Sequence, residues 1–181
     1  MKVEHSAIAD VLLLEPKVFS DARGFFLENY NKRAFRQATG LEVEFVQDNH
    51  SRSSKNVLRG LHYQLHQPQG KLVRATVGEI WDVAVDLRRG SKSFGRWTAA
   101  TLSAESRRML WVPAGFAHGF LVLSEHAEVQ YKTTDYYAPE HERTLLWNDP
   151  TLAISWPLAG EPVLADKDRR GTPLAGAETF E

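Results

Sequence analysis

The sequence predicts an all-β protein built as a jelly-roll β-barrel, with a few short helices at its periphery. Two observations carry this prediction. Short strand patterns recur at regular spacing along most of the chain, with turn residues between them, as in sandwiches and barrels. Groups able to do acid–base chemistry also lie inside these β-rich segments, which indicates a barrel with a site in its interior.

Strand patterns occupy most of the first 135 residues. They cover 10–19, 23–30, 43–50, 56–65, 71–77, 79–87, 96–102, 109–112, 117–124 and 127–135. In the segment 79–87, apolar residues at alternate positions share one face, while Asp82 and Asp86 fall on the other face. This alternation is typical of a strand in a half-buried sheet.

One short helix is predicted at 32–39. Asn31 can cap its start, and Gly40 can adopt the left-handed conformation at its end. From about residue 138 the chain has five prolines and little periodicity, which predicts irregular chain and short helix packed on the barrel. With no internal repeat or low-complexity tract, residues 1–181 are expected to form a single domain.

The composition excludes several classes of function. The chain has 43% hydrophobic residues, 25% charged residues and a formal net charge of -1, so it has no general attraction to nucleic acid or to an anionic membrane. It contains no cysteine, which excludes disulfides and thiolate metal sites and fits a reducing cytosol. The first residues contain no long apolar run, so we expect neither a signal peptide nor a membrane span, and a cytoplasmic location.

The segment Leu58-Arg-Gly-Leu-His-Tyr-Gln-Leu-His66 is the most informative in the chain. It places Arg59 and His62 on one predicted strand, and Lys71 follows after a Pro-Gln-Gly turn. A base that titrates near neutral pH, accompanied by two cations, is what an enzyme needs to remove a proton from carbon beside a carbonyl. The segment therefore indicates an acid–base site.

The two arginines inside apolar strands, Arg23 and Arg59, are expected to have an anionic partner, such as a phosphate. However, Arg59 and His62 differ in strand parity, so a flat strand would turn them to opposite faces. We predict a β-bulge between them, at Gly60. The alternative is that Arg59 reaches its ligand around the rim of the barrel.

A histidine that acts as a base is held in one tautomer by a carboxylate on its second ring nitrogen. Four aspartates are candidates for this partner of His62, and their spacing does not choose among them: Asp82, Asp86, Asp166 and Asp168. Tyr131 lies in another predicted strand. Its phenol, with an ordinary pKa of about 10, is able to return a proton to a carbanion.

A metal site is not expected. His62 and His66 lie four residues apart, which is about 13 Å along a strand and too far for both to reach one ion without a sharp bend. The segment Pro113-Ala-Gly-Phe-Ala-His118 resembles the second motif of the cupin family, in which a proline and a glycine make a turn and a histidine points inward. This resemblance implies a cupin-like barrel without the metal ligands. Taken alone, His118 would be a core histidine with one hydrogen bond.

Together, these residues resemble one family, the dTDP-4-dehydrorhamnose 3,5-epimerases, which are metal-free cupins of nucleotide-sugar metabolism. The matching segments are Asp21-Ala-Arg-Gly-Phe-Phe-Leu-Glu28, Gln47-Asp-Asn-His-Ser51, Val57-Leu-Arg-Gly-Leu-His-Tyr-Gln64, Pro68-Gln-Gly-Lys71, Trp111-Val-Pro-Ala-Gly-Phe-Ala-His-Gly-Phe120, Tyr131 and Lys167-Asp168. They run from near residue 20 to residue 170. The Arg-Gly-Leu-His-Tyr-Gln block is highly specific, whereas the Pro-x-Gly-x-x-His turn belongs to cupins at large.

The resemblance implies roles for the catalytic residues. His62 would be the base and Asp168 its partner. Tyr131 would be the acid on the opposite face of the sugar, and Lys71 would stabilise the enolate oxygen. The implied substrate contacts are Arg23, Phe26, Glu28, Gln47, Asp48, Asn49, Arg59, His118, Glu142 and Lys167. No cofactor is implied, because the substrate already carries the carbonyl that the chemistry needs.

The implied activity is epimerisation of dTDP-4-keto-6-deoxy-D-glucose at carbons 3 and 5, through enolate intermediates, to dTDP-4-keto-L-rhamnose. Members of the family are dimers built by sheet extension, so the resemblance implies a homodimer in which Arg23 and Glu28 serve the neighbouring subunit's site. Four alternatives remain open: an enzyme that inverts only one carbon, a 3,4-ketoisomerase, a cupin that binds a sugar nucleotide without catalysis, and a metal-dependent cupin oxygenase.

Overall fold

Two antiparallel sheets face each other and form a barrel in the computed structural model, which describes residues 1–181. The strands are β1 (Lys2–His5), β2 (Leu12–Glu15), β3 (Val18–Asp21), β4 (Gly24–Leu27), β5 (Gln47–Ser54), β6 (Leu58–Gln64), β7 (Lys71–Val77), β8 (Glu79–Asp86), β9 (Trp97–Ser103), β10 (Met109–Val112), β11 (Phe116–Val122), β12 (His126–Thr133) and β13 (Glu142–Thr144). The helices are α1 (Lys32–Thr39) and α2 (Asp166–Arg169), and two short 3-10 turns occupy Pro139–His141 and Leu174–Gly176. The predicted all-β jelly-roll barrel with short peripheral helices is confirmed.

The larger sheet has six strands in the order β1-β2-β10-β7-β12-β5, and the smaller sheet has five in the order β13-β6-β11-β8-β9. Strands β3 and β4 form a separate hairpin. Strand β5 is therefore one edge of the six-stranded sheet, paired on one side only with β12. An edge strand of this kind presents unpaired backbone groups to whatever lies beside it.

The interior of the barrel is filled by apolar side chains from both sheets. The buried members are Ile8, Val11, Val73, Ala75, Ile80, Ala84, Leu102, Leu110, Val112, Phe116, Phe120, Val122, Ala127 and Val129. On β7 Lys71 has the same parity as Val73, and on β12 Tyr131 has the same parity as Val129. Along each of these two strands, the inward-facing side chains thus change from apolar to polar. A polar cavity lies at the polar end.

The C-terminal tail covers the outer face of the five-stranded sheet, as the sequence predicted. Trp156 packs against Trp81 with ring centroids 5.2 Å apart, and Trp81 packs against Trp97 at 5.8 Å. Two of the indole nitrogens donate to carbonyls of the tail, Trp97 Nε1 to the Leu152 oxygen at 3.0 Å and Trp156 Nε1 to the Trp147 oxygen at 2.8 Å. This packing fixes the path of the tail across the barrel.

Helix α1 has the predicted bounds and covers part of the outer face of the six-stranded sheet. The Asn31 side chain accepts a hydrogen bond from the Ala34 amide at 3.1 Å, and Gly40 ends the helix with a φ of 73°. Buried Phe35 contacts Trp111, with ring centroids 5.8 Å apart. Neither helix of the molecule has the length and hydropathy that a membrane crossing requires.

Several strand predictions differ from the structure. The predicted strand 10–19 is divided into β2 and β3, because Pro16 between them has no amide hydrogen to donate to a ladder. The predicted strand 43–50 begins instead at Gln47, since Val43 and Phe45 pack with the aromatic cluster around α1. Strands β1 and β13 were not predicted, because their residues are mostly polar and none of them is buried.

Candidate active site

A cavity of about 540 Å³ opens between the two sheets. It is lined by ten of the residues that the sequence marked: Gln47, Asn49, Arg59, His62, Lys71, His118, Tyr131, Glu142, Lys167 and Asp168. All four residues marked as catalytic are among them, although they come from strands β6, β7 and β12 and from helix α2. The fold therefore brings together groups that are up to 106 residues apart in the chain.

His62 projects from β6 and is hydrogen-bonded to Asp168, with 2.5 Å between Nε2 and Oδ1. The Asp168 side chain is only 3% exposed, whereas the His62 side chain is 24% exposed and open to the cavity. Of the four candidate aspartates, Asp168 is therefore the partner of His62. Among the others, Asp86 instead holds Arg88 at 2.7 Å. With Nε2 engaged, Nδ1 is the His62 nitrogen that remains available.

A second imidazole–carboxylate pair lies beside the first. His118 on β11 is hydrogen-bonded to Asp82 on β8, with 2.5 Å between Nε2 and Oδ1. The Asp82 side chain is fully buried, and its second oxygen has no hydrogen-bond partner. A carboxylate in such a place depends on nearby positive charge. The cation that supplies it is Lys71.

Lys71 is 7% exposed, and its ammonium group donates to the backbone oxygen of His62 at 3.4 Å. Burial lowers the pKa of Lys71 to about 8, although the negative charges of Glu142 and Asp82 oppose this shift. An ammonium group so poorly solvated interacts strongly with any negative charge that develops beside it. Lys71 is thus the fixed cation of the cavity interior.

Tyr131 enters the cavity from β12, in the sheet that faces β6 and His62. Burial raises the pKa of Tyr131, while the positive charges of Arg59 and Lys167 lower it and the negative charge of Glu142 raises it further. The phenol therefore stays protonated at neutral pH. An imidazole and a phenol line the same cavity from opposite sheets.

The predicted β-bulge between Arg59 and His62 is present. His62 pairs with His118 and Arg59 pairs with Phe120, so β6 uses three steps where β11 uses two. Gly60 makes this possible, since its φ is 127° and a Cβ atom there would lie 2.6 Å from the Gly119 Cα. Both Arg59 and His62 consequently line the cavity.

Polar pairs hold the other cavity residues in position. The Arg59 Nε donates to the Ser53 hydroxyl at 3.0 Å, which leaves much of the guanidinium free. Gln47 donates to Asn49 at 3.0 Å from neighbouring inward positions of β5. The Lys167 ammonium group lies 2.9 Å from a carboxylate oxygen of Glu142, and both side chains are partly exposed. These contacts form the polar wall of the cavity.

Three of the predicted binding residues lie outside this cavity, on or just after the β3–β4 hairpin. Arg23 forms an exposed ion pair with Asp21, and Phe26 is 69% exposed. Glu28 accepts a hydrogen bond from Asn31 at 3.2 Å. None of the three reaches the cavity of its own chain.

Asp48 is also outside the cavity of its own chain. The strand alternates, so Gln47 and Asn49 point inward while Asp48 points to the outer face. There it is 70% exposed and forms an ion pair with Lys132 at 2.8 Å. The substrate contact that the resemblance implies for Asp48 is therefore not made from the cavity of its own chain.

Several cavity residues were not identified from the sequence. Ser51 has the same parity as Asn49 on β5, and this alternation is the signal that could have identified it. Tyr137 lies in an irregular segment, where its amide donates to the Gln47 side chain at 2.9 Å, and no pattern marks it. The tail residues Val163, Leu164 and Ala165 also line the cavity without a sequence signal.

His62 and His66 have different neighbours in the fold. His66 is exposed and stacks edge-on against His141, with ring centroids 4.8 Å apart. No group of three or more His, Cys, Asp or Glu side chains is arranged so that it could hold a metal ion.

Comparison with known proteins gives one family. Residues 5–176 match the family model described as dTDP-4-dehydrorhamnose 3,5-epimerase. The enzyme of that name from Pseudomonas aeruginosa is 64% identical over 180 residues, which covers 99% of each chain. The Escherichia coli K12 enzyme of the same name is 57% identical over 171 residues, covering 94% of this chain and 92% of that one.

Solved structures agree with the sequence comparison. The dTDP-6-deoxy-D-glucose-3,5-epimerase of Legionella pneumophila, crystallised with dTDP-4-keto-L-rhamnose, has a TM-score of 0.96 and 47% identity, covering 98% of this chain and 94% of that one. A 3'-monoepimerase from Streptomyces bikiniensis, in complex with dTDP-quinovose, has a TM-score of 0.88 and 36% identity, covering 95% and 88%. The chain belongs to the dTDP-4-dehydrorhamnose 3,5-epimerase family.

Proposed function

We propose that this protein is an isomerase that epimerises dTDP-4-keto-6-deoxy-D-glucose at carbons 3 and 5, without a redox cofactor, to give dTDP-4-keto-L-rhamnose. The observation that carries the proposal is the buried pair of His62 and Asp168, which shares one cavity with Tyr131 on the facing sheet. A ketone at carbon 4 acidifies the hydrogens on both neighbouring carbons. One base and one acid on opposite faces then suffice for either inversion.

In the first step, His62 removes the proton from the carbon beside the carbonyl. Its Nε2 is engaged by Asp168, so the proton goes to Nδ1, and the carboxylate stabilises the imidazolium that forms. The electron pair of the broken C–H bond moves to the carbonyl oxygen and gives an enolate. A positioned base of this kind contributes roughly 10²–10⁴-fold to the rate.

Lys71 is placed to stabilise that enolate. With its pKa lowered to about 8, the group is still protonated in a ratio of roughly ten to one at pH 7. The buried ammonium group would stabilise the transition state by about 3 kcal/mol, similar to the donor of an oxyanion hole. Its donation to the His62 backbone fixes it beside the base.

Tyr131 completes the inversion by delivering a proton to the other face of the enolate carbon. The phenol oxygen then recovers its proton from solvent, and His62 releases its proton in turn, so atoms and charge balance over each cycle. Since burial raises the pKa of Tyr131, the group begins each cycle protonated. Repetition at the second carbon gives the doubly epimerised product.

The polar wall of the cavity is assigned to the nucleotide and phosphate groups. Arg59 and Lys167 supply positive charge for the diphosphate, and Gln47 and Asn49 supply amide groups for hydrogen bonds. His118 and Glu142 are the other two implied substrate contacts that line this cavity. The similar enzyme from Legionella pneumophila was crystallised with a dTDP-sugar, which supports the substrate class.

The active unit is proposed to be a homodimer with shared sites. The β3–β4 hairpin carries three strongly exposed aromatic side chains, Phe19, Phe25 and Phe26, which are 53%, 58% and 69% exposed. Exposed aromatic clusters of this kind mark protein contacts. We assign the hairpin to the edge strand β5 of the partner, where Arg23, Phe26 and Glu28 would reach the partner's cavity.

One experiment tests the activity and separates it from its nearest rival. The purified protein is incubated with dTDP-4-keto-6-deoxy-D-glucose in deuterated water, and the sugar is followed by NMR. The proposal requires deuterium at both carbon 3 and carbon 5, together with inversion at both. Label at carbon 3 alone would indicate a monoepimerase, a rival favoured by the likeness to the Streptomyces bikiniensis enzyme. Binding without any label would indicate a non-catalytic protein.

A further inference from the structure

The carboxylate that partners His62 does not belong to the barrel. Asp168 lies on α2, within a segment of the tail, residues 159–172, that we call the strap. Its residues Val163, Leu164, Ala165, Lys167 and Asp168 form one wall of the cavity. The strap joins no sheet, and its backbone meets the barrel through two isolated bridges only, Val57 with Val163 and Leu145 with Thr172. Side-chain contacts add to these two anchors, since Lys167 pairs with Glu142 of β13 at 2.9 Å and Leu164 packs against buried apolar side chains. The backbone path that carries Asp168 is nevertheless fixed at the two anchors.

The anchor at Thr172 consists of backbone hydrogen bonds. The Thr172 amide donates to the Thr144 oxygen at 2.8 Å, and the Leu146 amide donates to the Thr172 oxygen at 2.9 Å. The anchor at Val163 has backbone bonds as well, since its amide donates to the Asn56 oxygen at 2.9 Å and its oxygen accepts from the Leu58 amide at 3.0 Å. Only the Val163 anchor also uses a side chain, and that side chain is Asn56.

The Asn56 side chain binds the strap at two points. Its Nδ2 donates to the Glu161 oxygen at 2.6 Å, and its Oδ1 accepts from the Ala159 amide at 3.2 Å. Asn56 also has a φ of 63°, a left-handed conformation that asparagine tolerates better than most residues. A single turn residue before β6 thus fixes the start of the strap through both its backbone and its amide group.

We propose that Asn56 is a positioning residue for catalysis: by fixing the Val163 anchor, it holds the Asp168 carboxylate on His62. The inference rests on the proposed function, because it presumes that His62 is the base. Only four residues separate Val163 from Asp168. A displacement at the anchor is therefore carried directly to the short bond between Asp168 and His62. A misplacement of about 1 Å in such a contact is sufficient to cost about 100-fold in rate.

The test compares Asn56→Gly with Ser124→Ala. Glycine keeps the left-handed backbone and removes both side-chain hydrogen bonds. Ser124 likewise has side-chain hydrogen bonds within a turn, accepting from the Glu79 amide at 2.8 Å and donating to the His126 oxygen at 2.7 Å, and it does not line the cavity. Both variants should unfold at a lower temperature than the wild type.

Two readouts distinguish positioning from stability. The short His62–Asp168 hydrogen bond should give a far-downfield proton resonance, identified by its loss in Asp168→Asn. In Asn56→Gly this resonance should broaden or disappear, and kcat should fall by about tenfold with a smaller change in KM. Ser124→Ala should keep both the resonance and kcat. Asn56→Asp keeps the acceptor but places a carboxylate oxygen against the Glu161 oxygen. It should therefore also lose the resonance and kcat, by no more than Asn56→Gly does.

Retention of the resonance in a folded Asn56→Gly protein would overturn the proposal, whatever its rate. So would an equal loss of kcat in Ser124→Ala. If Asn56→Gly does not fold, Asn56→Asp with an unaltered resonance has the same meaning. The resonance is observed without substrate, so the two proposals can fail separately. If only the proposed activity is wrong, the wild type turns over no substrate but still shows the resonance.

Discussion

His62 on β6 and His118 on β11 are directly paired across neighbouring strands, and each ring is bonded through Nε2 to a carboxylate oxygen at 2.5 Å. The two pairs differ in their surroundings. The His62 side chain is 24% exposed, and its carboxylate comes from the tail. The His118 side chain is 8% exposed, and its carboxylate comes from β8 within the barrel. The first pair is placed to exchange protons with a ligand, and the second to hold a fixed position.

Replacing the proposed acid should separate proton removal from inversion. In Tyr131→Phe, the base His62 and the cation Lys71 remain, so the enolate still forms and reverts from the same face. We expect deuterium to enter the starting sugar from deuterated water, while the inverted product falls by about 10²–10⁴-fold. NMR of the recovered sugar measures both quantities. Loss of exchange together with inversion would show that Tyr131 is needed to form the enolate.

The lowered pKa of Lys71 predicts an alkaline limit to catalysis. The ammonium group is charged below its pKa of about 8 and neutral above it, so kcat should fall as the pH rises through about 8. Lys71→Met should lower kcat by roughly 10²–10³-fold. The residual kcat of this variant should not fall as the pH rises through about 8. If kcat of Lys71→Met still falls near pH 8, the decline belongs to another group.

The same shift makes a prediction about stability. The folded pKa of Lys71 lies below its unfolded value of 10.5, so between about pH 8 and pH 10.5 the unfolded chain binds more protons at this group. The contribution of Lys71 therefore destabilises the fold at neutral pH, and this penalty disappears as the pH rises through that window. The unfolding temperature of the wild type should therefore rise across this pH window relative to that of Lys71→Met, in which this titration is absent. Thermal unfolding at several pH values measures the difference.

Asp82→Asn should weaken substrate binding more than it weakens the fold. The variant keeps the shape and the acceptor for His118, but it replaces the charged partner of that ring by a neutral amide. Since a hydrogen bond to a charged group is stronger than one to a neutral group by about 1–1.5 kcal/mol, His118 is held less firmly as a substrate contact, and we expect the affinity for dTDP-sugar to fall by roughly tenfold. Calorimetric titration measures the affinity, with unfolding temperature as the control. An unchanged affinity would limit Asp82 to a role in packing.

Mixed dimers test the shared site. A mixed dimer contains one Arg23→Ala chain and one His62→Ala chain. If Arg23 acts across the interface, the cavity of the Arg23→Ala chain keeps its own His62 and receives Arg23 from the partner, so one of the two cavities is intact. Co-expressed chains should recover about a quarter of wild-type activity, because about half of the dimers are mixed and each holds one intact site. A mixture no more active than the average of its separate parents would place Arg23 outside the partner's cavity.

The sequence predicted the site better where strands alternate than where the chain is irregular. The family resemblance marked Asn49 and Tyr131, and strand alternation accounts for their inward positions. The predicted conflict of parity between Arg59 and His62 is resolved by a bulge at Gly60. The same alternation turns Asp48 to the outer face, where it pairs with Lys132. Periodicity is a reliable guide to direction, because successive side chains of a strand point to opposite faces.

The partner of His62 could not be selected from the residues themselves. Asp168 lies 106 residues away, in a tail without periodicity, and distances across a fold are not encoded in local patterns. The family resemblance chose it, and the geometry agrees. The same limit explains why Tyr137 and Val163 were not identified, since both reach the cavity from irregular chain.

The origin of the Asp168 carboxylate has a consequence for biosynthesis. All thirteen strands precede it in the chain, and proteins emerge from the ribosome with the N-terminal part first. A nascent barrel can thus enclose its imidazole before the acid that partners it has been translated. A translation product that stops before residue 168 would therefore lack the carboxylate partner of His62, whatever part of the barrel it had formed.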